Sequence, residues 1–125
     1  MICREVLDNL IEACTTLGIE EENLAHWQAQ RDALPRYLLD EEGGLKEWAW
    51  PTIPENFNHR HVSHHYDLWP GHYITWEEQP ELAQAIQISN RKRAHQDDSA
   101  HGIIHRVFSA IRLKDVEEME QSLGT

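Results

Sequence analysis

Two stretches of this 125-residue chain concentrate the side chains that do chemistry. The first reads Gly43-Gly44-Leu45-Lys46-Glu47-Trp48-Ala49-Trp50. The second reads Asn58-His59-Arg60-His61-Val62-Ser63-His64-His65-Tyr66-Asp67-Leu68-Trp69-Pro70-Gly71. Five of the nine histidines lie between His59 and His72. Three chemistries fit such a cluster. Metal binding is one, because His59, His61 and His64 have the H-x-H-x-x-H spacing of metallo-β-lactamase-type hydrolases and imidazoles suit zinc. Against it, Ser63 stands where those enzymes carry an aspartate, and residues 52–57 do not read as the buried strand such a site follows. A structural reading is the second: histidines in an aromatic loop hydrogen-bond within it, and Glu47 is a surface acid beside Lys46.

Sugar chemistry is the third. A carbohydrate site pairs aromatic platforms with a carboxyl group and directional donors. Trp48, Trp50, Tyr66 and Trp69 supply platforms. The histidines and Arg60 supply donors. Glu47 lies between Leu45 and Trp48, apolar neighbours that would desolvate its carboxyl, as the general acid of glycoside cleavage requires.

The run Gly-Leu-Lys-Glu-Trp at 44–48, followed by His-Arg-His-Val-Ser-His at 59–64 and Pro70-Gly71, resembles glycoside hydrolase family 95. The approach through Leu34-Pro35 and a later helix bearing Arg91 and Arg93 fit the same resemblance, which covers most of the chain. It implies a partial (α/α)6 toroid and an inverting α-L-fucosidase-like activity, some members acting on α-L-galactosides. It implies Glu47 as the catalytic acid, Trp48 as a subsite wall, and His59, His61 and His64 lining or bracing the substrate cleft. Arg60 is expected as a buried structural ion. No metal or other cofactor is implied, and the substrate would be a fucosylated oligosaccharide or a plant or host glycan. The chain departs from the family pattern at Lys46, His65, Asp67 and Trp69. The family activates water with asparagines and an aspartate expected outside this chain, so it reads as a catalytic-domain fragment. Asp40, Glu41, Asp97 and Asp98 are the other carboxylates, each expected to be solvated. The other readings are a non-catalytic carbohydrate-binding or pseudoenzyme fragment and a histidine-cluster zinc protein.

The elements that must position these groups read as helices. Ile2, Val6, Leu10, Cys14 and Leu17 form one apolar stripe over 2–17, closed by Gly18. A second helix over 21–34 presents Leu24, Trp27, Arg31 and Leu34 before Pro35. Periodicity then fails across a His-rich aromatic insert, 35–80, which holds four of the five tryptophans and all three tyrosines. One short helix is expected inside it near 62–69. Helical pattern returns over 81–96, with Leu82, Ala85, Ile86 and Ser89 inward. It continues over 100–113, capped by Asp98 or Ser99, with Ile104, Val107, Phe108 and Ile111 buried. A last helix over 115–123 is capped by Asp115. No strand shows period-2 alternation. The fold class is therefore all-α: helical pairs with one long insert.

Composition narrows the partners. Lys plus Arg number 11 against 22 Asp plus Glu, a net charge of −11, which repels nucleic acid and anionic membranes. No run of about 18 apolar residues can span a bilayer. Self-association through apolar helix faces left without partners is expected. Cys3 and Cys14 are roughly 16 Å apart along one helix, too far for a disulfide. The N-terminus lacks the pattern of a signal peptide. The location of the chain is left open, and a whole enzyme of this kind is expected to be secreted or periplasmic.

Overall fold

The computed structural model describes residues 1–93 and 99–124. The chain divides into two compact units, Met1–Arg36 and Tyr37–Thr125. The first is an antiparallel-type helical pair, α1 (Ile2–Leu17) and α2 (Glu21–Asp32). Gly18 takes the left-handed conformation (φ 64°) that ends α1, a position a β-carbon would strain. Cys14 is buried, with Leu7, Leu10 and Ile11 half-buried on the same side and Leu24, Trp27, Arg31 and Leu34 half-buried on the facing segment. The pairing keeps Leu10 and Cys14 of the expected stripe but not Ile2, Val6 or Leu17. Ile2, Val6 and Leu17 are exposed, because the face that meets α2 runs through Leu7, Leu10, Ile11 and Cys14. Arg31 also donates to Asp8 across the pair at 3.3 Å.

The second unit holds α3 (Pro80–Lys92), α4 (Ala100–Arg112) and α5 (Val116–Leu123). Pro80 starts α3 at the position where its missing N–H costs nothing. α3 stops at Lys92, short of the expected 96, because Arg93 turns extended (ψ 139°). Ser99 caps α4 by accepting from the Gly102 N–H at 3.2 Å. Asp98, the other expected cap, and Asp97 lie outside the described residues. Asp115 caps α5. The core gathers Leu45, Leu68, Ile74, Ala83, Ala85, Ile86 and Leu113, with Tyr37, Trp76 and Leu82 packed against it.

Within the insert, the expected 62–69 helix is a single 3-10 turn, Ser63–His65. An isolated bridge joins Leu39 and Leu45. Among the described residues there is no named strand, so the fold is all-α. One helix face differs from expectation. On α4 only Val107 of the four expected residues is buried; Ile104, Phe108 and Ile111 are exposed. The face turned inward instead carries Gly102, Arg106, Ser109 and Ala110. Small residues there let α3 and α4 approach, and Arg106 occupies a place hydropathy assigns to an aliphatic chain.

Candidate active site

Glu47 follows the buried Leu45, which anchors its strand-like segment by donating its N–H to Ala85 O at 3.0 Å. The Glu47 N–H donates to Glu55 Oε2 at 2.8 Å. Lys46 donates to Ile53 O at 3.0 Å and lies 3.4 Å from Glu55 Oε1, so the 46–47 and 53–55 segments are cross-tied. The Glu47 carboxylate is mostly buried and takes a 3.0 Å ion pair from Arg93 Nη2. The expected apolar jacket is absent: Leu45 turns into the core, Trp48 is 47% exposed, and the group against the carboxylate is a guanidinium.

Arg93 is the buried ion of the site, and Arg60 is not. Arg60 is exposed and donates to His61 Nε2 at 3.2 Å, since the 58–61 segment runs along the surface. Arg93, placed at the end of α3, is buried and also donates from Nη1 to Asn56 O at 2.6 Å.

The histidines separate by depth. His64 is buried with its ring edge 3.4 Å from Arg93 Nη2, and burial, reinforced by that cation, pushes its pKa down to about 3. It stands as a neutral imidazole under Arg93. His65 is fully enclosed, with Nε2 2.8 Å from Ser89 Oγ and Nδ1 3.4 Å from Ser109 Oγ, and burial holds its pKa well below the usual value. His59 and His61 are shallower. They line a cavity of about 420 Å³ together with Glu47, Val62, Ser63, His101 and His105. Ring centroids are 5.0 Å apart for His59 and His61, 4.9 Å for His61 and His101, and 4.2 Å for His101 and His105. Burial, then His101 and His61, lower the His105 pKa.

Of the residues singled out from sequence, the fold thus brings Glu47, His59 and His61 to one cavity and buries His64 against Arg93. Trp48 is not among the lining residues. His101 and His105 were missed, although their spacing of four puts them on one face of α4. Among the described residues no three His, Cys, Asp or Glu side chains are disposed to hold one metal ion. Asp40 is engaged elsewhere: it accepts from the Gly44 and Glu42 N–H groups and pairs with Lys92 Nζ at 2.7 Å.

The departures from the family pattern are engaged with the surrounding fold: Lys46 is tied to Ile53 and Glu55, and Trp69 meets the cavity residue His105 edge-on with centroids 5.0 Å apart. His65 lies between two serines, and Asp67 is buried and accepts from the Tyr37 hydroxyl. Trp69 stacks on Phe108 with centroids 4.6 Å apart.

The model of the glycosyl hydrolase family 95 catalytic domain matches residues 1–125. The chain is 35% identical over 96 residues to alpha-L-fucosidase 2 of Arabidopsis thaliana. That match covers 76% of this chain and 11% of the relative, so the chain corresponds to a small part of that protein's length. The all-helical fold is consistent with part of an (α/α)6 toroid. With its whole length matched, the chain belongs to the glycosyl hydrolase family 95 catalytic domain.

Proposed function

We propose that this chain supplies the general-acid side of an inverting α-L-fucosidase-like active site, acting on terminal α-linked fucosyl or α-L-galactosyl residues. The observation that carries the reading is the Glu47 carboxylate, held by Arg93 at the edge of the histidine-lined cavity. The relative named alpha-L-fucosidase 2 supports the choice of sugar.

In the proposed reaction Glu47 gives its proton to the glycosidic oxygen as the bond to the anomeric carbon breaks. Water attacks that carbon from the opposite face, and a base takes the water's proton. The two groups must stand about 6.5–9.5 Å apart to leave room for water. The base is assigned to none of the residues around this cavity. His59 and His61, with His101 and His105, offer donors to the sugar hydroxyls, and Trp48, exposed beside Glu47, offers a wall to the leaving group. Secretion or a periplasmic setting would bring such an enzyme to its glycans. Self-association would use the exposed α4 residues Ile104, Phe108 and Ile111, and sedimentation velocity reads it.

Stereochemistry tests the reaction. Proton NMR of fucosyl-oligosaccharide hydrolysis should show the β-anomer of the released sugar before mutarotation. The α-anomer appearing first would overturn inversion.

A further inference from the structure

We propose that Arg93 is the positioning residue of this site: its guanidinium fork fixes one oxygen of Glu47 and the main chain of the 55–58 loop at once. The inference rests on the reading of Glu47 as the acid. Arg93 is among the largest fully buried side chains of the protein. A guanidinium is costly to bury unless its donors are matched. Here the two terminal nitrogens are matched, Nη2 to Glu47 Oε2 at 3.0 Å across 46 positions of sequence and Nη1 to Asn56 O at 2.6 Å across 37, while Nε has no hydrogen-bond partner among the described residues. The two donors come from different nitrogens of one rigid plane, so the carboxylate and the loop carbonyl cannot shift independently.

Two further contacts make this a positioning device. Glu55 Oε2 holds the Glu47 N–H at 2.8 Å, so the residue is fixed at its main chain as well as its side chain. His64 lies against Nη2 at 3.4 Å as a neutral ring, so it does not compete with Arg93 for the Glu47 charge. Arg93 engages Oε2. Oε1 is then the oxygen left to carry a proton toward the leaving group, at an angle the fork sets. Lys at position 93 would keep the charge and lose the fork.

The test compares Arg93→Met and Arg93→Lys with the unsubstituted protein, all in the whole enzyme that carries this chain, on two substrates, a fucosylated oligosaccharide and α-L-fucosyl fluoride. The fluoride departs without a proton, so it is insensitive to how Glu47 is aimed. Arg93→Met should lower kcat on the oligosaccharide about 100-fold with KM little changed, the cost of a misplaced group. The loss on the fluoride should be less than about tenfold, and Arg93→Lys should recover part of the difference. An unchanged kcat, or equal losses on both substrates, would overturn the proposal. If Arg93→Met does not fold, the Arg93 guanidinium nitrogen-15 signals in the unsubstituted protein and in Glu47→Gln decide. They should shift between the two, and coincident signals overturn the pairing. Oligosaccharide turnover retained by Glu47→Gln would instead defeat the assignment of the acid. Glu47→Gln inactive with both Arg93 variants normal would defeat only the inference about Arg93.

Discussion

Glu47 and Arg93 meet at 3.0 Å although they stand 46 positions apart in sequence, and nearly all of Arg93 is withdrawn from water. The pair joins the irregular insert to the end of α3. It also decides which arginine serves the site. Arg60 sits in the motif yet faces solvent, whereas Arg93 sits outside it and holds the carboxylate.

The buried histidines predict acid sensitivity. The unfolded chain binds a proton at each near pH 6.5, but folded His64 does so only near 3, and folded His65 also well below its usual value. The unfolded state therefore holds more protons between those limits. Stability is full above about pH 6.5 and falls as the pH is lowered toward 3, by at most about 1.4 kcal/mol per pH unit for each histidine. Thermal melts from about pH 7 down to about pH 5 should show a falling Tm, with a shallower slope in His64→Gln. A Tm that holds or rises over that range would contradict the burial of neutral imidazoles.

Asp115 should be a stability residue. It caps α5, accepts from Arg91 Nε at 2.8 Å and Nη2 at 2.7 Å, and accepts from Gln87 at 2.9 Å. The Arg91 hydrogen bonds hold its carboxyl below the ordinary aspartate value. Losing a cap and charge-assisted bonds together should cost about 2–4 kcal/mol in Asp115→Ala, measured by urea unfolding. A loss under about 0.5 kcal/mol, the range of ordinary surface changes, would refute this.

Gly71 has no room for a side chain. A β-carbon there would lie 2.5 Å from Tyr66 O and 3.1 Å from Asp67 Cα, both backbone atoms that cannot swing aside. Gly71→Ala should destabilise the protein by about 1–3 kcal/mol. Because the 66–71 turn follows directly on His64 and His65, the imidazole NMR signals of both should move as well. An unaltered melt with unaltered signals would show that the turn tolerates the methyl.

The two faces of α4 should respond unequally. Ile104→Gln and Ile111→Gln replace exposed side chains and should change stability by no more than about 0.5 kcal/mol. Val107→Ala removes buried methyls and should cost about 1–2 kcal/mol. Equal losses at all three positions would mean that the outer face is covered.

Several elements were legible in the sequence because their causes are local. Gly18 ends α1, Pro80 opens α3, and Ser99 and Asp115 cap their helices through contacts within a few residues. The family motifs were legible for the same reason, being contiguous runs. Hydropathy periodicity misled on α4, because the packed face there is built from Gly102, Ser109 and Ala110 around a buried Arg106, while the greasier stripe points outward. The partner of Glu47 was illegible, since no local rule spans 46 residues of mostly irregular chain. His101 and His105 carried a readable signal in their spacing of four, yet their meeting with His59 and His61 depends on how the loop is laid over α4.

The central claim is that Glu47 is the acid of a family 95 cleavage. Its most direct test is the ratio of kcat for a fucosylated oligosaccharide to kcat for α-L-fucosyl fluoride, before and after Glu47→Gln. The substitution removes the proton and keeps the shape of the side chain. The account predicts that the oligosaccharide rate falls by about 100-fold or more while the fluoride loses far less, with oligosaccharide binding retained. Equal retention of both rates would contradict it, and the acid would have to be sought in another residue.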